Sequence, residues 1–369
     1  MRFNNRAWKN YKINDVCSVY DGTHQTPDYK KQGIKFVSVE NIKNLYQTDK
    51  FVSEKDFKIN YKIYPQYGDI LMTRIGDIGT PAIVNKEESL AYYVSLALLK
   101  PNHNKIISKF LYSYIETTYF KEELWHRTIH VAFPIKINKE EIGKCSIKIP
   151  NIVIQQKIVN LLSLIDERIE TQNKIIEDLK TQRIWIKNNY FRHLKNVKEY
   201  PFEKLFSEYK EFNTNGLPQF TIGKNGIKNI NNSDVNYPTN RHIIFYSSSL
   251  ILGIGIEEIG ISLQEYGCCS PIYKTYKINT SLLNPEFSYY FIKNYFHNYK
   301  RFITQKSTRR EFEFDYKQVI KIIFKIPLIS EQIHISNLLN WFSKQLEIEK
   351  NILELYKKQK QFLLNNMFI

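Results

Sequence analysis

Thr23, His24 and Thr26 crowd one turn, Asp21-Gly22-Thr23-His24-Gln25-Thr26, and Lys224 and Asn225 occupy another, Gly223-Lys224-Asn225-Gly226. Asn41, Thr73, Arg74, the stretch from Arg127 to His130, Arg241, and the run Lys306, Arg309, Arg310 place more hydroxyl, amide and cationic groups in similar polar settings. Such groups suit nucleic acid. Arg or Lys reads guanine, Asn or Gln reads adenine, and hydroxyls and backbone N–H groups fix phosphates. Each also has a plainer role open to it, as a solvated charge or a turn-stabilising hydroxyl; His24 could simply cap its own turn. The Arg309-Arg310 pair is the strongest electrostatic candidate, because Lys306 precedes it closely and only Glu311 answers it locally.

Patterns for covalent chemistry are missing from the sequence. There is no Asn/Asp-Pro-Pro-Tyr/Phe tetrapeptide of the kind that holds a flipped base for methylation. Gly253-x-Gly255 followed by Gly260 has the wrong third spacing for a dinucleotide loop, and no Gly-Lys-Ser/Thr phosphate loop occurs. Pro27-Asp28 with Glu208-Tyr209-Lys210 only superficially matches a magnesium nuclease, since the two pieces lie far apart and such triplets arise often in a lysine-rich chain. The His residues are scattered, and Cys17, Cys145, Cys268 and Cys269 lack zinc-site spacing. The expectation is a chain with no catalytic residue, metal or cofactor of its own and with reduced thiols.

The elements that hold these loops must build two or three folded units, because 369 residues exceed one ordinary domain. A net charge of +16 points to a polyanionic partner. No apolar run approaches the ~18 residues a membrane span needs, and the first residues lack the apolar core of a secretory signal, so a cytoplasmic location without membrane contact is expected.

An internal repeat sets the layout. Lys148 to Phe191 aligns without gaps onto Lys325 to Phe368 at a displacement of 177, with roughly seventeen of 44 positions identical. Lys148-Ile149-Pro150 returns as Lys325-Ile326-Pro327, Gln155 as Gln332, and Asn160-Leu161-Leu162 as Asn337-Leu338-Leu339. A fainter echo, Trp8-x-x-x-Lys12-Ile13 against Tyr200-x-x-x-Lys204-Leu205 at 192, makes the second globular segment about 15 residues shorter. The predicted organisation is globular 1–149, helix 150–195, globular 196–326, helix 327–369.

Within each repeat the apolar positions follow a 4,3 spacing. The first copy reads Ile158, Leu162, Ile165, Ile169, Gln172, Ile176, Leu179, Arg183, Ile186, Tyr190; the second reads Ile335, Leu339, Phe342, Leu346, Glu349, Leu353, Tyr356, Lys360, Leu363, Met367. That is a coiled-coil seam broken at the same two layers. Antiparallel pairing with residue numbers summing to 532 sets Arg183 against Glu349 and Gln172 against Lys360, whereas parallel pairing sets Arg183 against Lys360. Like charges in a seam are costly, so the antiparallel arrangement is predicted. Helices of about 37 residues would be about 55 Å long and could serve as a ruler; the competing reading is of amphipathic core helices inside one domain.

Charge is concentrated outside the repeats, at +7 for 1–150 and +5 for 196–325 against +3 and +1 for the helical segments, which disfavours a zipper-type basic helix. Ile34 to Val39 and Ala82-Ile83-Val84 read as strands and Lys105 to Thr118 as a helix, giving an α/β or α+β fold for both globular segments.

These residues resemble the specificity subunit of type I restriction-modification systems over essentially the whole length. In the first half the matching elements are Asp21-Gly22-Thr23-His24-x-Thr26-Pro27, Gly33-Ile34 through Val39-Glu40-Asn41-Ile42, Gly68-Asp69-Ile70-Leu71, Arg74-Ile75-Gly76-x-x-Gly79 and Val94-Ser95. The repeat opens with Ile149-Pro150, Gln155-x-x-Ile158 and Leu161-Leu162-x-x-Ile165-Asp166. The second half fits through Gly267-Cys268-Cys269-Ser270-Pro271-Ile272-Tyr273, Thr308-Arg309-Arg310 and Ile326-Pro327 through Glu331-Gln332. It departs where Leu250-Ile251-Leu252-Gly253 stands for the Gly-Asp-Ile-Leu element and Ser343 for Asp166, so the two halves should read different sequences.

The resemblance implies two target recognition domains on an antiparallel helical pair, reading a split double-stranded DNA target. It further implies methyltransferase (modification) subunits docked on the chain, with exposed apolar residues near the seam such as Leu161, Trp185, Trp341 and Phe362 needing cover, and a restriction motor subunit beyond them. S-adenosylmethionine, ATP and Mg would belong to those partners. The alternatives are the recognition subunit of a related type II system, in which one partner methylates and cleaves, and a coiled-coil scaffold with no DNA function.

Overall fold

A computed structural model describes residues 8–212, 216–224, 226–230, 242–306 and 312–368. The fold is mixed α/β, and the chain divides into two compact units, Met1–Lys174 with Lys350–Ile369, and Ile175–Glu349. Each contains a globular body and part of both long helices, Ile152–Arg192 and Ile329–Met367. Among the described residues no helix is long and apolar enough to cross a membrane.

The first unit is built on a four-stranded antiparallel sheet in the order Cys17–Asp21, Leu96–Pro101, Ile70–Ile75, Asp77–Ile83. The second unit repeats the order with Phe206–Tyr209, Lys274–Ile278, Ser249–Leu252 and Ile259–Ser262. The central strands are apolar and closed on both faces: Ile70, Leu71 and Met72 are fully buried, as are Leu250, Ile251 and Leu252. The first unit adds a three-stranded sheet of Phe51–Val52, Ile34–Val37 and Leu90–Tyr92. The helix expected over Lys105 to Thr118 spans Ser108–Ile115, and a second, unexpected helix, Thr118–His126, follows it. Ser108–Ile115 and Thr118–His126 are separate because the Thr117 hydroxyl accepts the Phe120 N–H at 3.2 Å, capping a new N-terminus.

Strand pairing corrects two alignments. Lys9–Lys12 pairs with Ser146–Ile149 and Lys198–Pro201 with Ile323–Ile326, which sets Lys9 beside Lys198 at a displacement of 189, so the second body is shorter by 12 residues instead of 15. The counterpart of Gly68-Asp69-Ile70-Leu71 is Ser248-Ser249-Leu250-Ile251, two residues before the stretch expected from sequence. Gly68 (φ 88°) and Ser248 (φ 57°) share the left-handed backbone, which glycine adopts freely and serine rarely. With serine there, the sequence signature disappears although the turn persists.

The repeated glutamine has a repeated task. Gln155 is fully buried; its amide donates to the Lys105 and Pro150 carbonyls at 3.0 Å, and its oxygen accepts the Ile107 N–H at 2.9 Å. Gln332 donates to Leu282 and Pro327 at 2.9 Å and accepts from Asn284 at 2.8 Å, the same partners displaced by 177. Each long helix is thereby fixed at its start to its own globular body.

The helices run antiparallel. In the first unit Ile158, Val159 and Leu162 from the start of one share a core with Leu364, Met367 and Phe368 from the end of the other. In the second, Ile186, Tyr190 and Phe191 pack with Ile335 and Leu339. Lys360 meets Asp166 at 3.0 Å and Glu116 at 2.9 Å, and Arg168 lies 5.9 Å from the Tyr356 ring centroid. Asp166 precedes Gln172 by six residues, so two carboxylates answer the Lys360 charge where the sequence suggested an amide. Burial opposes that charge, yet Glu116 and Asp166 hold the ammonium above its ordinary value. Arg183 lies 5.8 Å from the Tyr290 ring centroid, and Glu349 accepts a hydrogen bond from Gln345 at 2.6 Å. Trp185, Trp341 and Phe362 are exposed as expected, whereas Leu161 is half-buried against the first core.

All four cysteines are buried thiols, Cys17 and Cys145 in the first unit and Cys268 and Cys269 in the second. Burial pushes Cys145 and Cys269 up to about 12, and raises Cys17 further.

Candidate nucleic-acid interface

The antiparallel order brings three loops to one end of the first sheet. Gly22 to Thr26 leave the strand ending at Asp21, Tyr93 to Ser95 lead into Leu96, and Gly76 turns between Ile75 and Asp77. A fourth segment joins them: Gly76 N–H donates to Ile135 at 2.8 Å, Ile137 N–H to Arg74 at 3.0 Å, and Ile129 N–H to Lys136 at 2.7 Å.

Arg74 is the staple that holds this end together. It is 5% exposed, and donates to the Asp21 carboxylate at 2.7 Å, the Ile137 carbonyl at 2.9 Å and the Val94 carbonyl at 3.3 Å. Thr73 is fully buried, donating to Asp77 at 3.2 Å and accepting the Thr80 N–H at 2.9 Å. Both therefore face inward and position the loops. Asn41 is likewise committed to its own turn, accepting from Ser38 at 3.0 Å and donating to Gln47 at 3.2 Å.

What faces outward at this end is the Thr23 turn and the loop from Ile129 to Ile137. The Thr23 hydroxyl donates to Gln25 at 3.3 Å and also bonds Tyr61, opposing the burial that lifts that phenol to about 12. His24, Gln25 and Thr26 are exposed. His130 packs on Trp125 with centroids 4.3 Å apart and contacts its carbonyl at 3.0 Å. Arg127 is answered by Glu123 at 3.1 Å and Glu141 at 3.2 Å. The loop tip carries residues that sequence reading missed: Val131 and Phe133 stand 98% and 104% exposed beside exposed Lys136. An apolar pair ahead of Pro134 reads as a short buried strand, which is why polar criteria passed it over.

In the second unit the equivalent loop is the one that holds the basic run. Phe314 N–H donates to Ile254 at 2.9 Å as Ile137 does to Arg74, and Gly255 bridges Glu313 as Ile75 bridges Lys136. Lys136 and Ile137 thus correspond to Glu313 and Phe314, and Ile129, which pairs with Lys136, corresponds to Gln305, which pairs with Glu313. Two candidates that looked unrelated in sequence, His130 and Lys306, therefore each follow one of these matched paired residues. Lys306 is exposed, while Arg309 and Arg310 lie outside the described residues, as do Asn225 and Arg241. The Lys224 side chain is 82% exposed and reaches Glu257 at 3.7 Å.

The glycines considered for a nucleotide loop have a packing role. A Cβ on Gly253 would lie 2.3 Å from Glu258 Oε2, and that carboxylate accepts the N–H groups of Ile254 at 2.8 Å and Gly255 at 3.2 Å. Asp28 pairs with Lys30, and Glu208 with Lys274 at 2.9 Å, so local lysines answer the acids of the superficial nuclease pattern. Among the described residues no His, Cys, Asp or Glu cluster could hold a metal ion.

Residues 5–181 match the family model of the type I restriction modification DNA specificity domain. Three solved structures share the fold along nearly the whole chain. A chain from the structural study of complex assembly and conformational transition of the type I R-M system gives a TM-score of 0.61 at 12% identity, covering 98% of both chains. The S subunit of M. genitalium gives 0.57 at 14% identity, covering 100% of this chain and 98% of that one. The HsdS subunit of Thermoanaerobacter tengcongensis gives 0.51 at 13%, covering 98% and 97%. Residues 5–181 thus match a DNA specificity domain, and the chain shares its fold with these three structures along nearly its whole length.

Proposed function

We propose that the chain is the non-catalytic specificity subunit of a type I restriction-modification complex, reading a bipartite DNA target with one loop cluster per unit. The observation that carries this reading is the same sheet end built twice with different outward chemistry: Thr23, His24, Val131 and Phe133 in one unit, Lys224 and Lys306 in the other. Unlike loops on like scaffolds suit two different half-sites.

Partner subunits would supply the reaction. Methyltransferase subunits bring S-adenosylmethionine, a restriction motor subunit brings ATP and Mg, and the assembly works in the cytoplasm. Matched exposed apolar positions support repeated docking of one kind of partner. Leu164 and Phe362 are 57% and 65% exposed in the first unit, and Trp341 and Trp185, displaced from them by 177, are 53% and 66% exposed in the second.

Selection of bound duplexes from a random library by the full chain with its methyltransferase partner tests the proposal. Two short motifs with a fixed spacer are expected, with Thr23 and His24 substitutions altering one motif alone. A single continuous motif, or none, would overturn it. Alanine at Arg309 and Arg310 is expected to flatten the logarithmic salt dependence of binding by about two if both meet phosphates.

A further inference from the structure

The Lys360 site has a counterpart in the second unit with its charges changed. Displacement by 177 maps Lys360 onto Arg183, Glu116 onto Lys293 and Asp166 onto Ser343. The cation is kept, one carboxylate becomes a second cation, and the other becomes a hydroxyl that donates back to Leu339 at 3.0 Å. Lys187, one turn beyond Arg183, adds a third positive charge.

Two of these cations lie against a pair of aromatic rings. Arg183 lies 5.8 Å from the Tyr290 centroid and Lys293 5.4 Å from that of Tyr289, the rings being 5.1 Å apart. The buried Nε of Arg183 has no hydrogen-bond partner. Lys293 donates to the Lys224 carbonyl at 3.0 Å, linking the cluster to exposed Lys224. Glu257 reaches Lys224, and Glu286 accepts from Asn340 at 2.9 Å. Among the described residues no ion pair joins a carboxylate to Arg183, Lys187 or Lys293. Burial, with the Arg183 charge adding to it, holds the Lys187 ammonium below the usual lysine range. Burial does the same at Lys293, opposed by Glu257 and reinforced by Lys187.

We propose that Arg183, Lys187 and Lys293, continued by Lys224, form a track for the phosphodiester backbone of DNA on the second unit. This rests on the DNA-reading role proposed above. Clustered cations of which only Lys224 is met by a carboxylate, Glu257, are stabilised by an external polyanion, and the track's continuity with exposed Lys224 favours nucleic acid over an acidic protein surface.

The test substitutes Lys293→Glu, restoring the residue found at position 116, in the full chain with its methyltransferase partner. Target and unrelated duplexes are expected to weaken alike, with a salt slope smaller by about one or more. The thermal midpoint is expected to rise, because the new carboxylate would answer Arg183 and Lys187. Lys187→Gln, which leaves the helix surface otherwise intact, is expected to lower the slope by about one without raising the midpoint. Unchanged slopes in both variants, with wild-type binding intact, would overturn the track. Unchanged slopes together with weakened subunit assembly would overturn it in favour of an acidic protein surface. Failure of the wild-type complex to bind any duplex would instead defeat the DNA-reading role itself.

Discussion

The two units fasten the same sheet end by different means. In the first, an ion pair between side chains 53 positions apart, Arg74 and Asp21, draws three segments together. In the second, Ile254 stands where Arg74 would be, and Glu258 holds the turn by accepting neighbouring backbone N–H groups. One topology therefore tolerates either device, because what the fold requires is satisfied polar groups at the strand ends and not a particular residue. Loop chemistry can then diverge while the scaffold stays put.

The sharpest way to break this comparison is Arg74→Leu. It strands Asp21 and two carbonyls, and is expected to cost about 3–4 kcal/mol in denaturant unfolding; Ile254→Val at the matching place should cost about 1 kcal/mol. Similar losses at both would contradict the distinction. Gln155→Leu and Gln332→Leu test the shared feature instead. Each leaves an N–H and two carbonyls unsatisfied, so both should lose about 2–3 kcal/mol by the same assay, and inequality beyond a factor of two would mean the joints are not equivalent.

Lys360→Met is expected to cost about 1–2 kcal/mol, discounted because Asp166 is half exposed. The sign with pH follows from a folded value above the unfolded one: the Lys360 contribution is whole below the ordinary lysine range and disappears as pH rises through the elevated value. The wild-type advantage over Lys360→Met should therefore narrow in alkaline unfolding experiments and nowhere lower. The smallest effect is expected from Ser248→Gly, a gain of about 0.5–1 kcal/mol by relief of left-handed backbone, set against a loss of similar size for Gly68→Ser. No gain at Ser248 would show that its turn is held by more than the backbone.

The repeat was the most legible feature of the sequence, since Gln155 and Gln332 keep the same residue for the same three bonds. Helix direction was legible too, because seam charges penalise the parallel alternative. The pairing around Lys360 was not, since Glu116 comes from outside the repeated helices and no heptad count contains it. Arg74 looked like a reader for a related reason. An arginine before a glycine turn advertises exposure, and only the fold shows that Asp21 and Ile137 close over it. The equivalence of Lys136-Ile137 with Glu313-Phe314 was invisible because the side chains differ and only the backbone pairing is alike.

The sealed sulfur atoms give the molecule a pair of internal stopwatches. Shut away from solvent, they should ignore an alkylating reagent until a unit opens, and modification then reports the lifetime of that closed state. Because Cys17 and Cys145 belong to one unit and Cys268 and Cys269 to the other, mass spectrometry of the labelled peptides would time each half separately within a single intact chain.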